Sequence, residues 1–184
     1  MSGFLQAGRL PLILASSSKI RARILEAAGL AFIVEPPGLD EGVMRQAVSD
    51  LAPKAYVIGA DQVLAFGNQI MSKPDSMETA RRELLDLSGK SHTLHTSVAV
   101  ATNGETIWAT TEIATLTMRK LSPEFIGRYL AAAGEEVLNS VGAYQIESIG
   151  IQLFDRIDGD YLVILGLALI PLLDTLRREG VIEA

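Results

Sequence analysis

Asp61 stands inside an apolar run, Val57-Ile-Gly-Ala-Asp61-Gln-Val-Leu64. A carboxylate among such neighbours is costly unless it is hydrogen-bonded, paired with a cation, or used as a base with an adjusted pKa. Either a turn satisfies it, or it does chemistry. Upstream, Ser16-Ser-Ser-Lys19 with Arg21 and Arg23 places hydroxyls, backbone N–H groups and cations where a helix is expected to begin. Free N–H donors and the helix dipole both favour an anion there. The plainer reading of the same residues is a serine cap followed by solvated arginines. The segment is not a P-loop, because the Gly-x-x-x-x-Gly-Lys-Ser/Thr spacing is missing. Lys73, in Ser72-Lys-Pro74 ahead of another helix, faces either a phosphate or water. Gly142-Ala-Tyr-Gln-Ile-Glu147 is a small-residue turn leading to a second carboxylate, expected on a strand edge. Glu147 is open to three readings: a metal ligand, a contact to a base, or plain surface.

Other chemistries fall away. His92 and His95 are three apart on an expected strand, so their side chains point to opposite faces and make a poor pair of zinc ligands. No Gly-x-Ser-x-Gly elbow exists for a hydrolytic triad. The absence of cysteine removes disulfides, thiolate zinc sites and cysteine nucleophiles together. A formal charge of −6 argues against a broad surface for a nucleic acid polymer, which normally needs a basic face. Any phosphate site must therefore be local. Leu10 to Ala15 is too brief for the core of a secretory signal. Leu162 to Leu173 is about a dozen residues, interrupted by Gly166 and Pro171, where roughly 20 are needed to cross a bilayer. It reads as buried core, and a cytoplasmic location without membrane attachment is expected.

The elements that must position these residues follow from periodicity and punctuation. With 184 residues, 48% of them hydrophobic, the chain can bury the core of one domain or of two small lobes sharing a cleft. Leu10-Pro-Leu-Ile-Leu-Ala15 predicts a strand buried on both faces. Ile20, Ile24, Leu25 and Ala28 predict a helix, with Gly29 as its left-handed end. A second strand is expected over Phe32 to Glu35 and a short helix over Val43 to Val48. Strand character returns over Tyr56 to Phe66, interrupted at Gly59-Ala-Asp61, with a turn at Gly67-Asn68. Asp75 and Glu78 resemble a capping box for a helix through Leu87. Asn103-Gly104, between strands at 93–101 and 105–118, signals a hairpin. Ser122-Pro-Glu124 opens a helix that Gly134 closes. The last third predicts a strand over Ile151 to Ile157, a turn at Asp158-Gly159, a strand from Tyr161, and a helix starting near Pro171. Interspersed strands and helices predict an α/β fold with a mixed sheet.

Taken in order, these segments resemble the Maf family of nucleotide pyrophosphatases, related in fold to inosine triphosphate pyrophosphatase. The matching stretches are Leu14-Ala-Ser16-Ser-Ser18 with Arg21, Leu39-Asp-Glu41, Ile58-Gly-Ala-Asp61-Gln62, Ser72-Lys-Pro74, Ala80-Arg81 through Leu87-Ser-Gly89 with His92, Val141-Gly-Ala-Tyr144, and Ile157-Asp-Gly-Asp-Tyr161 through Gly166-Leu167. The resemblance implies one Maf-like domain over residues 1–184, with a mixed twisted sheet and flanking helices forming two lobes around a cleft. It implies hydrolysis of a nucleoside triphosphate to the monophosphate and pyrophosphate, with Mg²⁺ or Mn²⁺ assisting water at the α-phosphorus. Non-standard or surplus nucleotides would be removed in this way. It also suggests a homodimer. Carried over by position, Asp61 is the general base and a metal ligand, and Lys73 and Glu147 complete the catalytic set. Ser16, Ser18 and Arg21 bind phosphate, and Glu41 joins Asp61 on the metal. Here the family's Ser-x-Ser-Pro-Arg-Arg reads Ser16-Ser-Ser-Lys-Ile-Arg21, the chain is shorter between Glu41 and Tyr56, and Glu147 replaces the Gln of one branch. Glu suits a guanine-type or methylated base, Gln a pyrimidine. The shortened segment motivates a different reading, a catalytically impaired nucleotide-binding regulator linked to septum formation. A phosphatase releasing orthophosphate is a third.

Overall fold

The computed structural model describes residues 6, 10–36 and 55–183. The expected helix over Val43 to Val48, and Glu41, lie outside them. Strand β1 (Leu12–Ala15) runs parallel to both of its neighbours, β2 (Ile33–Val34) and β3 (Tyr56–Phe66). Leu12, Ile13 and Leu14 are all buried, as expected of a parallel strand covered on both faces. Helix α1 (Lys19–Ala27) follows, capped by Ser18, and Gly29 behind it takes φ 76° as a left-handed end requires.

β3 corrects one expectation, because it runs unbroken through Gly59-Ala-Asp61. The pairing of Ala15 with Gly59 holds the backbone extended where composition alone suggested a break. Across Gly67-Asn68 the chain returns antiparallel as β4 (Gln69–Met71). Helix α2 (Met77–Leu87) is capped by Ser76 and not by Asp75. The Ser76 Oγ accepts from the Thr79 N–H at 3.2 Å, while the Asp75 carboxylate accepts from the hydroxyls of Ser76 and Thr79 at 3.1 and 2.7 Å. β5 (Ser91–Thr102) and β6 (Glu105–Met118) meet at Asn103 and Gly104, whose φ values of 52° and 79° are those of the anticipated hairpin turn. Along β5 the even positions His92, Leu94, Thr96, Val98 and Val100 are buried, the period of two that a strand imposes.

Helix α3 (Pro123–Ala133) has Ser122 as its cap, Pro in its first turn and Gly134 at its end, each as the sequence signalled. Short 3₁₀ segments follow, at Gly134–Asn139, Val141–Ala143 and Ile149–Leu153. The strand expected from Ile151 begins only at Phe154, as β7 (Phe154–Asp158), antiparallel to β6. Tyr161 opens a helical turn, α4 (Tyr161–Ile164), where a strand was expected. Short apolar runs look alike in helix and strand. The Asp160 carboxylate decides it here by accepting from the N–H groups of Leu162 and Val163 at 2.8 and 3.0 Å. Helix α5 (Leu169–Arg178) carries Pro171 in its first turn.

The strands form a mixed sheet in the order β2-β1-β3-β5-β6-β7, with β4 paired to β3. The α/β class with flanking helices is therefore as expected. The chain divides into two compact units, each assembled from separated segments. The first contains Met1–Asp61, Thr96–Glu112 and Gly166–Ala184, and its core includes Leu12, Leu14, Leu25, Ile58, Val100 and Leu172. The second contains Gln62–His95 and Ile113–Leu165, with Leu64, Leu84, Leu94, Leu116, Ile126 and Leu153 buried inside it. Among the described residues no helix is long and apolar enough to cross a membrane.

Candidate active site

In the first unit, β1 delivers the chain to Ser16, which is only 4% exposed. Its Oγ accepts from the Ser18 N–H and from Arg21 Nη1, both at 3.2 Å. Ser18 caps α1 by accepting from the Arg21 N–H at 3.4 Å. The Arg21 side chain folds back instead of pointing to solvent. Its Nε donates to the Gly166 carbonyl at 2.8 Å and its Nη1 to the Ala60 carbonyl at 2.6 Å. Burial lowers the Arg21 pKa, and the negative charge of Asp61 acts against that shift, so carboxylate and guanidinium are within electrostatic reach. Asp61 itself is exposed on β3, immediately after the residue whose carbonyl Arg21 holds. Lys19 and Arg23 are exposed, as the plainer reading of this turn had it, whereas Arg21 is not.

Gly166 belongs to this arrangement although sequence reasoning gave it no role. Its φ is 97°, and a Cβ there would lie 3.3 Å from Arg21 Nε. The signals available were a glycine interrupting the apolar run Leu162 to Leu173 and its place in the last of the matching stretches. Gln62 was matched but given no role. It lies in the second unit, where its Nε2 donates to the carbonyls of Val163 and Ile164 at 3.0 and 3.1 Å, tying β3 to α4.

Lys73 and Glu147 also belong to the second unit. Lys73 is exposed between β4 and α2. Glu147 is exposed in a turn ahead of the 3₁₀ segment Ile149–Leu153, not on the strand edge expected. That turn is prepared upstream. Gly142 has φ 76°, and a Cβ on it would meet Leu64 Cδ1 at 2.6 Å and Tyr144 Cε1 at 2.7 Å, so only glycine fits. Ala143 follows with φ 59°, a conformation that costs a side-chain-bearing residue energy. The Tyr129 hydroxyl donates to the Ala143 carbonyl at 3.2 Å. Its pKa is pushed up to about 12, chiefly by burial, with the negative charge of Glu147 adding to the rise. Gly150 lies so close to Gln145 that a Cβ would come within 2.5 Å of its carbonyl oxygen. Thus Ser16, Ser18, Arg21 and Asp61 come together in the first unit, Lys73 and Glu147 stand in the second, and Glu41 is outside the described residues.

The model of the family described as Maf-like protein matches residues 11–179. The chain belongs to this family. The match includes segments of both units, so the Maf-like pattern embraces all the site residues described above. The chain is 45% identical to a 7-methyl-GTP pyrophosphatase of Brucella abortus, over 94% of this chain and 98% of that protein. It is 46% identical to a protein of the same name from Bartonella quintana, with 93% and 96% covered. A nucleoside triphosphate pyrophosphatase of Nitrobacter hamburgensis is 41% identical, with 94% and 96% covered. A crystal structure of a dITP/XTP pyrophosphatase from Mycobacterium abscessus overlays at a TM-score of 0.33 and 14% identity, covering 71% of this chain and 97% of that one, too slight a likeness to carry a fold argument.

Among the described residues a divalent cation has a limited donor set. Among the described residues no group of three or more His, Cys, Asp or Glu side chains could hold a metal. Mg²⁺ does not require such a cage, since it commonly takes one or two carboxylates together with substrate phosphates and water. A single exposed Asp61 fits that mode.

Proposed function

We propose that the protein is a nucleoside triphosphate pyrophosphatase that releases a nucleoside monophosphate and pyrophosphate. The observation that carries this reading is the grouping of buried Ser16, back-folded Arg21 and exposed Asp61 in a chain of the Maf-like family. Asp61 takes the proton of a water molecule whose oxygen bonds to the α-phosphorus. The bond from that phosphorus to the α,β-bridging oxygen breaks, and its electron pair leaves with pyrophosphate. Ser16, Ser18 and Arg21 hold phosphate oxygens, and Lys73 neutralises charge on the leaving group. A divalent cation, Mg²⁺ or Mn²⁺, would be held by Asp61 and Glu41 with the substrate's own oxygens, and would supply further neutralisation of the triphosphate.

Glu147 contacts the base. Methylation of a guanine at N7 gives its ring a positive charge, which a carboxylate complements and a glutamine does not. A 7-methylguanosine triphosphate is therefore the favoured substrate, in keeping with the names of the Brucella and Bartonella relatives. The test is pyrophosphate release by purified protein from a panel of standard and modified triphosphates, with Mg²⁺ or Mn²⁺. Asp61→Asn should lower the rate on the order of 10²–10⁴-fold, the usual contribution of a positioned base. Release of orthophosphate, or binding without turnover, would overturn the proposal, the latter in favour of a regulator.

A further inference from the structure

His92 and Tyr144 form a buried polar pair in the second unit to which the proposed reaction assigns no task. His92 is 2% exposed and Tyr144 5%, and His92 Nε2 lies 2.8 Å from the Tyr144 hydroxyl. Their rings pack with Phe154, which meets Tyr144 edge-on at 4.8 Å between centroids. Burial lowers the pKa of His92 to about 4, so the ring is neutral at physiological pH. A neutral imidazole has one donor nitrogen and one acceptor nitrogen. The pair then holds two polar hydrogens, one on the ring and one on the hydroxyl, and the bond between them uses one. His92 Nδ1 has no partner among the described residues. An apolar pair would fill this space without such a cost, so stability alone does not account for the pair.

The pair adjoins a backbone with two successive positive φ values. Tyr144 directly follows Gly142 and Ala143, both with positive φ. Its ring also closes over Gly142, with Cε1 2.7 Å from where a Cβ would stand. On the other side Tyr129 holds the Ala143 carbonyl. We infer that His92 is a positioning residue: through the Tyr144 hydroxyl it clamps the left-handed Gly142-Ala143 turn, so that the next turn presents Glu147 to the base in one place. This rests on Glu147 being the base contact. The clamp acts on discrimination between bases and leaves the chemical step alone.

The test compares Tyr144→Phe, His92→Gln, His92→Leu and the double variant His92→Leu/Tyr144→Phe. KM and kcat for 7-methyl-GTP and UTP are measured, with melting temperature and amide exchange. Tyr144→Phe should raise KM for 7-methyl-GTP about tenfold with kcat within about twofold, the pattern of lost binding and not of lost chemistry. His92→Gln, which can still reach the hydroxyl, should recover most of that loss, whereas His92→Leu should not. The double variant should recover melting temperature, since no polar atom is left stranded, yet keep the raised KM and be no worse than either single change. Amide exchange at 142–148 should accelerate in Tyr144→Phe more than in the rest of the chain. A KM that recovers along with melting temperature in the double variant, or exchange at 142–148 that never rises selectively, overturns the inference. Should the wild type hydrolyse no triphosphate, the proposed function falls while the exchange measurement still decides the clamp.

Discussion

Arg21 shows how a cation can serve two masters at the residue scale. Its fork reaches Ser16, Ala60 and Gly166, and among the described residues no bond leaves Nη2. The guanidinium is thus fastened to the backbone carbonyls of Ala60 and Gly166 while keeping its charge near Asp61. A lysine could satisfy one of these oxygens, not all of them. Arg21→Lys is therefore expected to destabilise the protein by about 1–3 kcal/mol, read by denaturant unfolding, because part-buried carbonyls lose their donors. Its kcat/KM should fall by more than that of Arg23→Lys, an exposed residue on the same helix. Full activity in Arg21→Lys would mean that the charge, which lysine keeps, and not the fork is what matters.

Turns are the elements on which the second unit depends. Gly142 combines a positive φ with a space closed by Leu64 and Tyr144, so strain and collision coincide. Gly142→Ala should cost at least about 1–3 kcal/mol, the range for a side chain forced into a disfavoured backbone region. It should also raise KM for 7-methyl-GTP, as the Tyr144 variant does. Ser76→Ala, by contrast, removes only the cap of α2. Loss of about 1 kcal/mol in thermal or chemical unfolding is expected, with steady-state constants unchanged. If Ser76→Ala alters KM as strongly as Gly142→Ala, the special role of the Gly142-Ala143 turn is refuted.

At the scale of the whole molecule, His92 ties stability to pH. It is neutral and buried in the folded chain, with a pKa lowered from 6.5 to about 4 by burial. The unfolded chain takes up a proton as pH falls through 6.5, and the folded chain does not follow until about 4. Stability is therefore full above the unfolded value and is lost between the two. A shift of this size corresponds to roughly 3 kcal/mol. Unfolding free energies measured from pH 7 down to pH 4 should show this decline, and His92→Gln should flatten it. An identical acid slope in wild type and His92→Gln would mean that another group governs the loss. Acid also takes away charge from a chain whose formal charge is −6 at neutral pH, so the comparison with His92→Gln isolates one ring from that background.

What the sequence determined is what depends on near neighbours. The buried run Leu12 to Leu14, the Ser18 and Ser122 caps, the Asn103-Gly104 hairpin and the glycine helix ends at Gly29 and Gly134 are set by side-chain period, lost N–H partners and allowed φ, all local quantities. The motif order over most of the chain likewise marks it as a member of the Maf-like family. Tertiary structure decided the rest. The Tyr161 segment became helical through a side-chain cap on two of its N–H groups, and β3 ran on through Gly59 because β1 supplied its partners. Arg21 found Gly166 across 145 residues and His92 found Tyr144 across 52. Such contacts depend on how distant segments close upon one another, and neither periodicity nor spacing in a single chain encodes which closure is made.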